Sequence, residues 1–541
     1  MNVSFDNCCF FVMSYNKHQF FRLQNIKKMN AILVIAAVIS ALNINNQIIP
    51  ESAKENKVSW ELDNDFSDEF NGVTDINYVK WSKSSGLPNT TAWLWDNTSN
   101  LKVENGVVRL TMRHNANNES VNGTYFKSGI IQSTKKITYG YYEARIKGSG
   151  IPAGLSQDPK GRGVCPSFWL WSFGSHTVNG KLVTYSEIDA VELQQFDWYN
   201  NHQDDIRDMD LNLHTVVDGA WQRPKTFPDE QLNKWRAGWD PSAGYHTYAV
   251  ENRPDSIIWF VDGIRVAAKL NLYWHLPMNV TVSLGLRTPF VSFYNNKNNP
   301  INPLTDSRAK AKLDKMTNDT TSMFVDYIRT WKALPTVWIN NSEKYITQNF
   351  NNSEPFSVSI GYHAGSGYKV MSGEWNGMTC KLVEFDALNN IVKEYTGINN
   401  TVIGKCAGAT TISINIQGAT PTANLSANHY YALVPTFKSS KNGGEVVKLT
   451  ESLKYIKITG NNTKIEYINA DNSFKVYPNP TNDYLSILCS EIENNSYVSI
   501  YNLSGILVDT KLANSKIDVQ HLKAGSYIIK YNNNRALFTK R

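Results

Sequence analysis

From about residue 58 to 334 the chain is cut into short runs of β-branched and aromatic residues, spaced roughly ten residues apart and separated by turn signals. The runs are Leu101–Val103, Val107–Met112, Ser128–Gln132, Tyr139–Ile146, Ser167–Trp171, Ser186–Leu193, Tyr245–Glu251, Ile257–Val261 and Val280–Leu286. Glu104-Asn-Gly106 and Asp262-Gly263 sit between runs, where Asn-Gly and Asp-Gly favour tight hairpins. No long amphipathic helical period competes with this pattern, so the segment can bury its apolar faces only as sheets. A large β-sandwich or jelly roll is predicted. At 541 residues the whole chain is expected to hold two to four domains.

One run breaks the alternation that a strand should keep. Tyr185-Ser-Glu-Ile-Asp-Ala-Val-Glu-Leu-Gln-Gln195 carries Glu187, Asp189 and Glu192. Alternation puts Tyr185, Glu187 and Asp189 on one face and Ser186, Ile188 and Ala190 on the other. It would also hide Glu192 and expose Val191. A β-bulge of one extra residue returns Glu192 to the acidic face, and bulges re-aim side chains beside active sites. The two glutamates are then about four strand steps apart, roughly 13 Å at Cα, and on a concave strand their carboxyls can converge to ~5 Å. That is the spacing of a nucleophile and a proton donor in retaining glycoside hydrolysis. A solvated edge strand is the plainer alternative. The flanking Phe168-Trp-Leu-Trp171 and Asp210-Leu-Asn-Leu-His214 argue against it by surrounding the acids with aromatics.

The ends of the chain point outside the cell. Lys27-Lys28 precedes the apolar stretch 29–42, a basic region and a short hydrophobic region as in a secretory signal peptide. Met29 is a candidate true start. The net charge of +6 includes +3 from residues 1–50, so the remainder is only mildly basic and does not resemble a nucleic-acid surface. After the leader no apolar run is long enough to span a membrane. Beyond Cys8 and Cys9 the cysteines are Cys165, Cys380, Cys406 and Cys489, with no metal-binding spacing; Cys380 and Cys406 could pair in an oxidising compartment.

Four segments follow: a leader at 1–50, a first domain at 58–334, a smaller accessory β-sandwich at 335–470 and a tail at 473–541. The accessory segment is expected to be a carbohydrate-binding module, a spacer or a folding module, alternatives that its sequence leaves open. The tail opens Ser473-Phe-Lys-Val-Tyr-Pro-Asn-Pro and continues with alternating strands and Asn-Pro or Ser-Gly turns, which predicts a small Ig-like sandwich. It resembles the C-terminal sorting domain of type IX secretion substrates. The resemblance implies export and passage across an outer membrane by the type IX machinery, giving a secreted or surface-attached protein.

Residues 58–334 resemble glycoside hydrolase family 16, in the branch with a bulged E-x-D-x-x-E. Tyr139-Gly-Tyr-Tyr-Glu-Ala-Arg-Ile-Lys-Gly148, Tyr185-Ser-Glu-Ile-Asp189, Trp259-Phe-Val-Asp-Gly263, Asn271-Leu-Tyr-Trp-His275, Leu284-Gly-Leu-Arg287 and Thr321-Ser-Met323 look more specifically like the κ-carrageenases. The β-porphyranases, furcellaranases and β-agarases share the scaffold. The resemblance implies an all-β protein, a concanavalin-like β-sandwich jelly roll, and a retaining endo-hydrolase of β-1,4 linkages in sulfated red-algal galactan. Glu187 matches the nucleophile, Glu192 the general acid/base and Asp189 the assisting carboxylate. With three carboxylates so close, one pKa must rise, and Glu192 is expected to hold the proton.

Trp95 and Trp169 match aromatic positions of the cleft, and His214 a cleft histidine. Arg287 matches an arginine that contacts substrate sulfate, and Trp221-Gln-Arg223-Pro a pair lining the same cleft. A guanidinium binds sulfate oxygens with paired hydrogen bonds. No cofactor is expected. The resemblance allows a structural Ca²⁺ on the outer face, though no Asp/Asn loop marks one. The protein is expected to be a monomer. Val282-Ser-Leu-Gly285, the insert 195–207 and the loop 290–303 depart from the κ-carrageenase pattern, and such loops choose the sugar. A non-catalytic galactan-binding lectin on the same sandwich is disfavoured, because binding alone does not need this acid set.

Overall fold

The computed structural model describes residues 48–541 except 55–56, 84–91, 97, 117–123, 154–160, 194–197, 200–201, 204–205, 224–226, 292–299, 461–473, 489–495, 514–515 and 533. The segment expected to be a signal peptide, Cys489 and most of the two variable loops lie outside the described residues. Two compact units emerge, Met1–Thr459 and Gly460–Arg541.

In the first unit two antiparallel sheets face each other. The outer sheet runs from Ile264–Leu270 through Ser256–Val261, His246–Asn252, Gly140–Lys147 and Ser322–Ala333 to Val107–Thr111 and Leu101–Glu104. The inner sheet runs from Ala220–Gln222 through Leu213–Val217, Lys181–Leu193, Val164–Val178 and Asn279–Leu286 to Ile130–Ser133 and Trp81–Ser82. Alternate residues of both, such as Val108, Ala144, Phe168, Ile188, Trp259 and Val282, fill one dry core. Interleaved side chains of two facing sheets are what hold such a sandwich together, at about 1.5–3 kcal/mol for each fully buried large apolar side chain.

The expected runs appear as strands, except that Ser128–Gln132 is split at Gly129 between Phe126–Ser128 and Ile130–Ser133, and two of them are longer than the alternation suggested. Ser167–Trp171 extends to Val164–Val178 and Ser186–Leu193 to Lys181–Leu193. They form one long hairpin closed by Asn179-Gly180, both at positive φ (51° and 80°). Such a turn matches the strand twist and fixes the register of the acidic strand against its tryptophan-bearing neighbour.

The accessory module follows without a break. A three-stranded sheet (Thr336–Ile339, Phe356–His363, Ala407–Ile414) faces a five-stranded one built on Met378–Phe385 and Tyr430–Ser439, around its own core. Its seam with the catalytic sandwich is tight. Ser366 and Ala333 exchange two hydrogen bonds of 2.9 Å, and Asp255 accepts from the Cys406 N–H at 2.8 Å. Gly367, at φ +84°, lies where a Cβ would come 2.9 Å from the Tyr139 ring, so only glycine lets the backbones approach this closely. The suggested Cys380–Cys406 disulfide is not formed: both cysteines are free and buried. Cys380 packs inside the module core, whereas Cys406 sits at the seam beside Asp255.

The second unit pairs a three-stranded sheet (Lys475–Tyr477, Tyr484–Leu488, Ile517–Asp518) with a four-stranded one ending in Asn534–Lys540, around Leu485, Val498, Ile500, Ile529 and Phe538. Among the described residues no helix is long and apolar enough to cross a membrane.

Candidate active site

The acidic strand carries the bulge. Ser167 pairs with Glu192 and Phe168 with Val191, but Trp169 pairs with Asp189, so Ala190 is the extra residue. Ala190 and Val191 both enter the core with Ile188, which leaves Glu187, Asp189 and Glu192 together on the opposite face. The backbone around the bulge is pinned from two sides. The Asp189 N–H donates to the Asn212 carbonyl at 2.9 Å, and its own carbonyl accepts from the indole of Trp259 at 2.8 Å. Trp259 belongs to the outer sheet and reaches across the core to do this. The irregular strand thus keeps both backbone groups of Asp189 paired.

The three carboxyls sit in different surroundings. Glu187 accepts from the Tyr185 hydroxyl, two residues back on the same face. Asp189 is 2% exposed. Burial, together with the charges of Glu192 and Glu187, raises its pKa well above the usual carboxylate range. Arg287 donates to Oε1 of Glu192 at 2.8 Å. A carboxyl oxygen that accepts from a guanidinium does not carry a transferable proton, so any proton leaving Glu192 leaves from Oε2. The sequence argument gave the shared proton to Glu192; the carboxyl that this geometry raises is Asp189.

His214 stands opposite Glu187 on the next strand. Its Nε2 lies 3.4 Å from Oδ2 of Asp189 and 3.8 Å from Oε1 of Glu187. Burial opposes its charge, but Glu187 and Asp189 outweigh that and raise the imidazole to about 9. The Trp274 indole donates to the His214 carbonyl at 3.0 Å and fixes this strand in turn. Ligand atoms of Glu187, Asp189 and His214 lie within 4.8 Å of one another, close enough to hold a cation. At neutral pH the imidazolium already supplies the positive charge such an ion would bring.

An aromatic floor runs beside the acids. Trp169 and Trp171 stack at 5.9 Å and 25°, and the Trp169 indole donates to Ser283 Oγ at 3.1 Å. Phe173 continues the row, touching Trp171 and Tyr185 at ring distances of 5.6 and 5.1 Å. Trp221 meets Tyr185 at 5.0 Å, and the exposed Arg223 guanidinium lies 5.6 Å from the Trp221 ring. Trp221, at 48% exposed, offers an open face. Glu187, Asp189, Glu192, His214, Trp169 and Arg287 thus converge directly, and Trp221 with Arg223 joins through Tyr185. Trp95 packs edge-on against Trp93 at 5.7 Å and is partly buried against the sandwich core. Arg287 is 7% exposed and engaged with Glu192.

Sequence reasoning missed several members. Tyr185 and Trp171 were readable, since they alternate with residues already singled out. Asp210 opposes Glu192 and pairs with Lys234 at 2.5 Å; the alternation Asp210, Asn212, His214 hinted at its face, but nothing local marked Lys234.

Comparison with known proteins agrees with this geometry. Residues 60–333 match the model described as beta-porphyranase A–D, GH16 domain, and residues 475–541 match that of the secretion system C-terminal sorting domain. The chain is 36% identical to the κ-carrageenase of Pseudoalteromonas carrageenovora over 318 residues, covering 56% of this chain and 70% of that protein. It is 27% identical to a β-glucanase of Paenibacillus polymyxa over 193 residues, 35% of this chain and 63% of that one. A solved κ-carrageenase structure from Zobellia galactanivorans is 54% identical, covering 52% of this chain and 99% of that one, with a TM-score of 0.48. The sandwich with its acid-lined face is that of a glycoside hydrolase. The chain belongs to glycoside hydrolase family 16. Its sorting domain makes it a type IX secretion substrate, delivered to the cell surface or beyond.

Proposed function

We propose that this protein is a retaining endo-hydrolase of sulfated red-algal galactan that cuts the β-1,4 galactosidic bonds of κ-carrageenan. The observation that carries the substrate reading is the 36% identity to a κ-carrageenase across 70% of that enzyme. The chemistry rests on the bulged strand. Glu187, oriented by the Tyr185 hydroxyl, attacks the anomeric carbon while Glu192 protonates the departing oxygen from Oε2. The resulting glycosyl ester is opened by a water that Glu192 deprotonates, restoring both carboxyls. Asp189, kept protonated by burial between the two glutamates, lowers the charge that Glu187 must face. His214 as imidazolium compensates what remains. The sequence uses no cofactor. Trp169 and Trp221 provide faces for sugar rings, with the buried Trp171 stacked behind Trp169, and the exposed Arg223 is the cation best placed to meet a sulfate. Arg287 reaches a sulfate only by sharing donors with Glu192.

A second reading, a β-porphyranase, is favoured by the description of the matched family model. Product analysis of the purified enzyme on κ-carrageenan, furcellaran, porphyran and agarose decides between them. Oligosaccharides released chiefly from κ-carrageenan support the proposal. Release from porphyran alone overturns it in favour of the second reading.

A further inference from the structure

The accessory sandwich carries an aromatic and cationic face that nothing in the catalytic cycle uses. Phe385 and Tyr430 stack at 5.5 Å and 27°, and Tyr455 lies 5.5 Å beyond Tyr430. Tyr430 is fixed by its hydroxyl, which donates to Asn389 at 2.7 Å. Lys454 Nζ sits 5.4 Å from the Tyr430 ring centroid. Tyr455 is 69% exposed and at φ +65°, a backbone region that a bulky residue rarely adopts. Beside it opens a cavity of about 760 Å³ lined by Thr450–Tyr455, Lys457 and Ile346. Lys454 and Lys457 outnumber the single acid of that lining, Glu451.

A folded module gains nothing in stability from a tyrosine left in water in a strained backbone. A row of three rings with flanking ammonium groups and an adjoining cavity fits a sugar polymer bearing fixed negative charge. Rings stack on sugar faces, and lysines meet sulfate esters, which stay ionised at all working pH values. The module is also locked to the catalytic sandwich. Glu251 of the catalytic sandwich accepts from Arg253 at 2.6 Å and lies 3.1 Å from His363 of the module, with Glu251 and His363 nearly fully buried. A chain held on this face is therefore held at a fixed offset from the cleft.

We propose that the face formed by Phe385, Tyr430, Tyr455 and Lys454 is a second binding site for sulfated polysaccharide, which retains the polymer between cuts. The identity of the polymer as sulfated galactan rests on the function proposed above; the site itself rests on the residues just described.

The test uses the full chain. Tyr455→Ala/Lys454→Ala is made in two backgrounds, otherwise wild type and Glu187→Gln, the latter so that polymer survives the measurement. In gels containing κ-carrageenan, the Glu187→Gln protein should be retarded, and the added double substitution should weaken its apparent affinity about tenfold, as loss of one of two linked sites does. Retardation in agarose, which lacks sulfate, should change far less. In the otherwise wild-type background, hydrolysis of a κ-carrageenan oligosaccharide and the melting temperature should be unchanged. Retardation unaffected by the double substitution, or lost equally in both gels, overturns the site. Failure of the wild-type enzyme to cut κ-carrageenan overturns the proposed function instead and leaves the retardation result to decide the site.

Discussion

Two buried carboxyls in the same unit behave in opposite ways. Asp189 and Glu251 are each 2% exposed. Burial opposes the charge of both. At Asp189 two more carboxylates add to that opposition, and the pKa rises. At Glu251 the Arg253 guanidinium and the His363 hydrogen bond outweigh burial and hold it at about 2. Glu251 is a matched group that ties two sandwiches together. Asp189 is held in a mismatch, and only its backbone pins and the surrounding strand register keep it there. The lesson is that burial alone does not identify a reactive acid; the sign of the neighbouring charge does.

Substitutions at each place should break that symmetry. Glu187→Gln should lower the rate of polysaccharide cleavage by about 10⁴-fold or more with the melting temperature essentially kept. Reducing-end assays beside thermal scans check both halves. Arg287→Ala should lower kcat about a hundredfold by freeing Glu192 from its hydrogen bond. If Arg287 acts through Glu192, the loss is the same on sulfated and desulfated galactan; a loss confined to sulfated polymer would instead make it a sulfate clamp. Glu251→Gln should show the reverse of Glu187→Gln: kcat retained, but the first unit destabilised by about 3 kcal/mol because Arg253 loses its buried partner. Chemical denaturation measures this directly.

The pH responses should also diverge. Glu251 has a depressed folded pKa, so its stabilisation is complete above the ordinary carboxylate value of 4.5 and is lost as pH falls through about 2. His214 has a raised one, so its contribution is complete below 6.5 and is lost as pH rises through about 9. Removing the imidazolium with His214→Ala leaves Asp189 to keep its proton to still higher pH, and the alkaline limb of kcat/KM that follows the loss of that proton should move up by about one unit. The smallest effect is expected for Trp259→Phe. It strands the Asp189 carbonyl at the bulge, costing about 1–3 kcal/mol in stability, with a modest fall in kcat from the less firmly held acids.

Much of the site was legible because strands obey a period of two. The acids of 187–192 violate that period while Ile188, Ala190 and Val191 demand burial, and a bulge is the one small repair that satisfies all of them. Trp169 and His214 were readable for the same reason, as residues alternating on neighbouring runs. The pairing of Arg287 with Glu192 was not, because it joins positions 95 residues apart and depends on which strand lies beyond Val164–Val178. Trp259 supporting the bulge was equally hidden: it comes from the other sheet, and its sequence segment says only that it is a buried strand. The seam at Glu251, Arg253 and His363 lies across two modules, and neither run carries a local sign of the other. The hairpin extension at 172–184 was missed because His176 and Lys181 interrupt a simple apolar alternation.

The central claim is that Glu187 and Glu192 cleave by two successive displacements at one anomeric carbon. Proton nuclear magnetic resonance of the first reducing ends released from κ-carrageenan, read before mutarotation, tests it most directly. The account predicts that the β-anomer appears first and the α-anomer grows in later. An α-anomer appearing first would mean a single displacement by water, and would contradict the assignment of Glu187 as nucleophile.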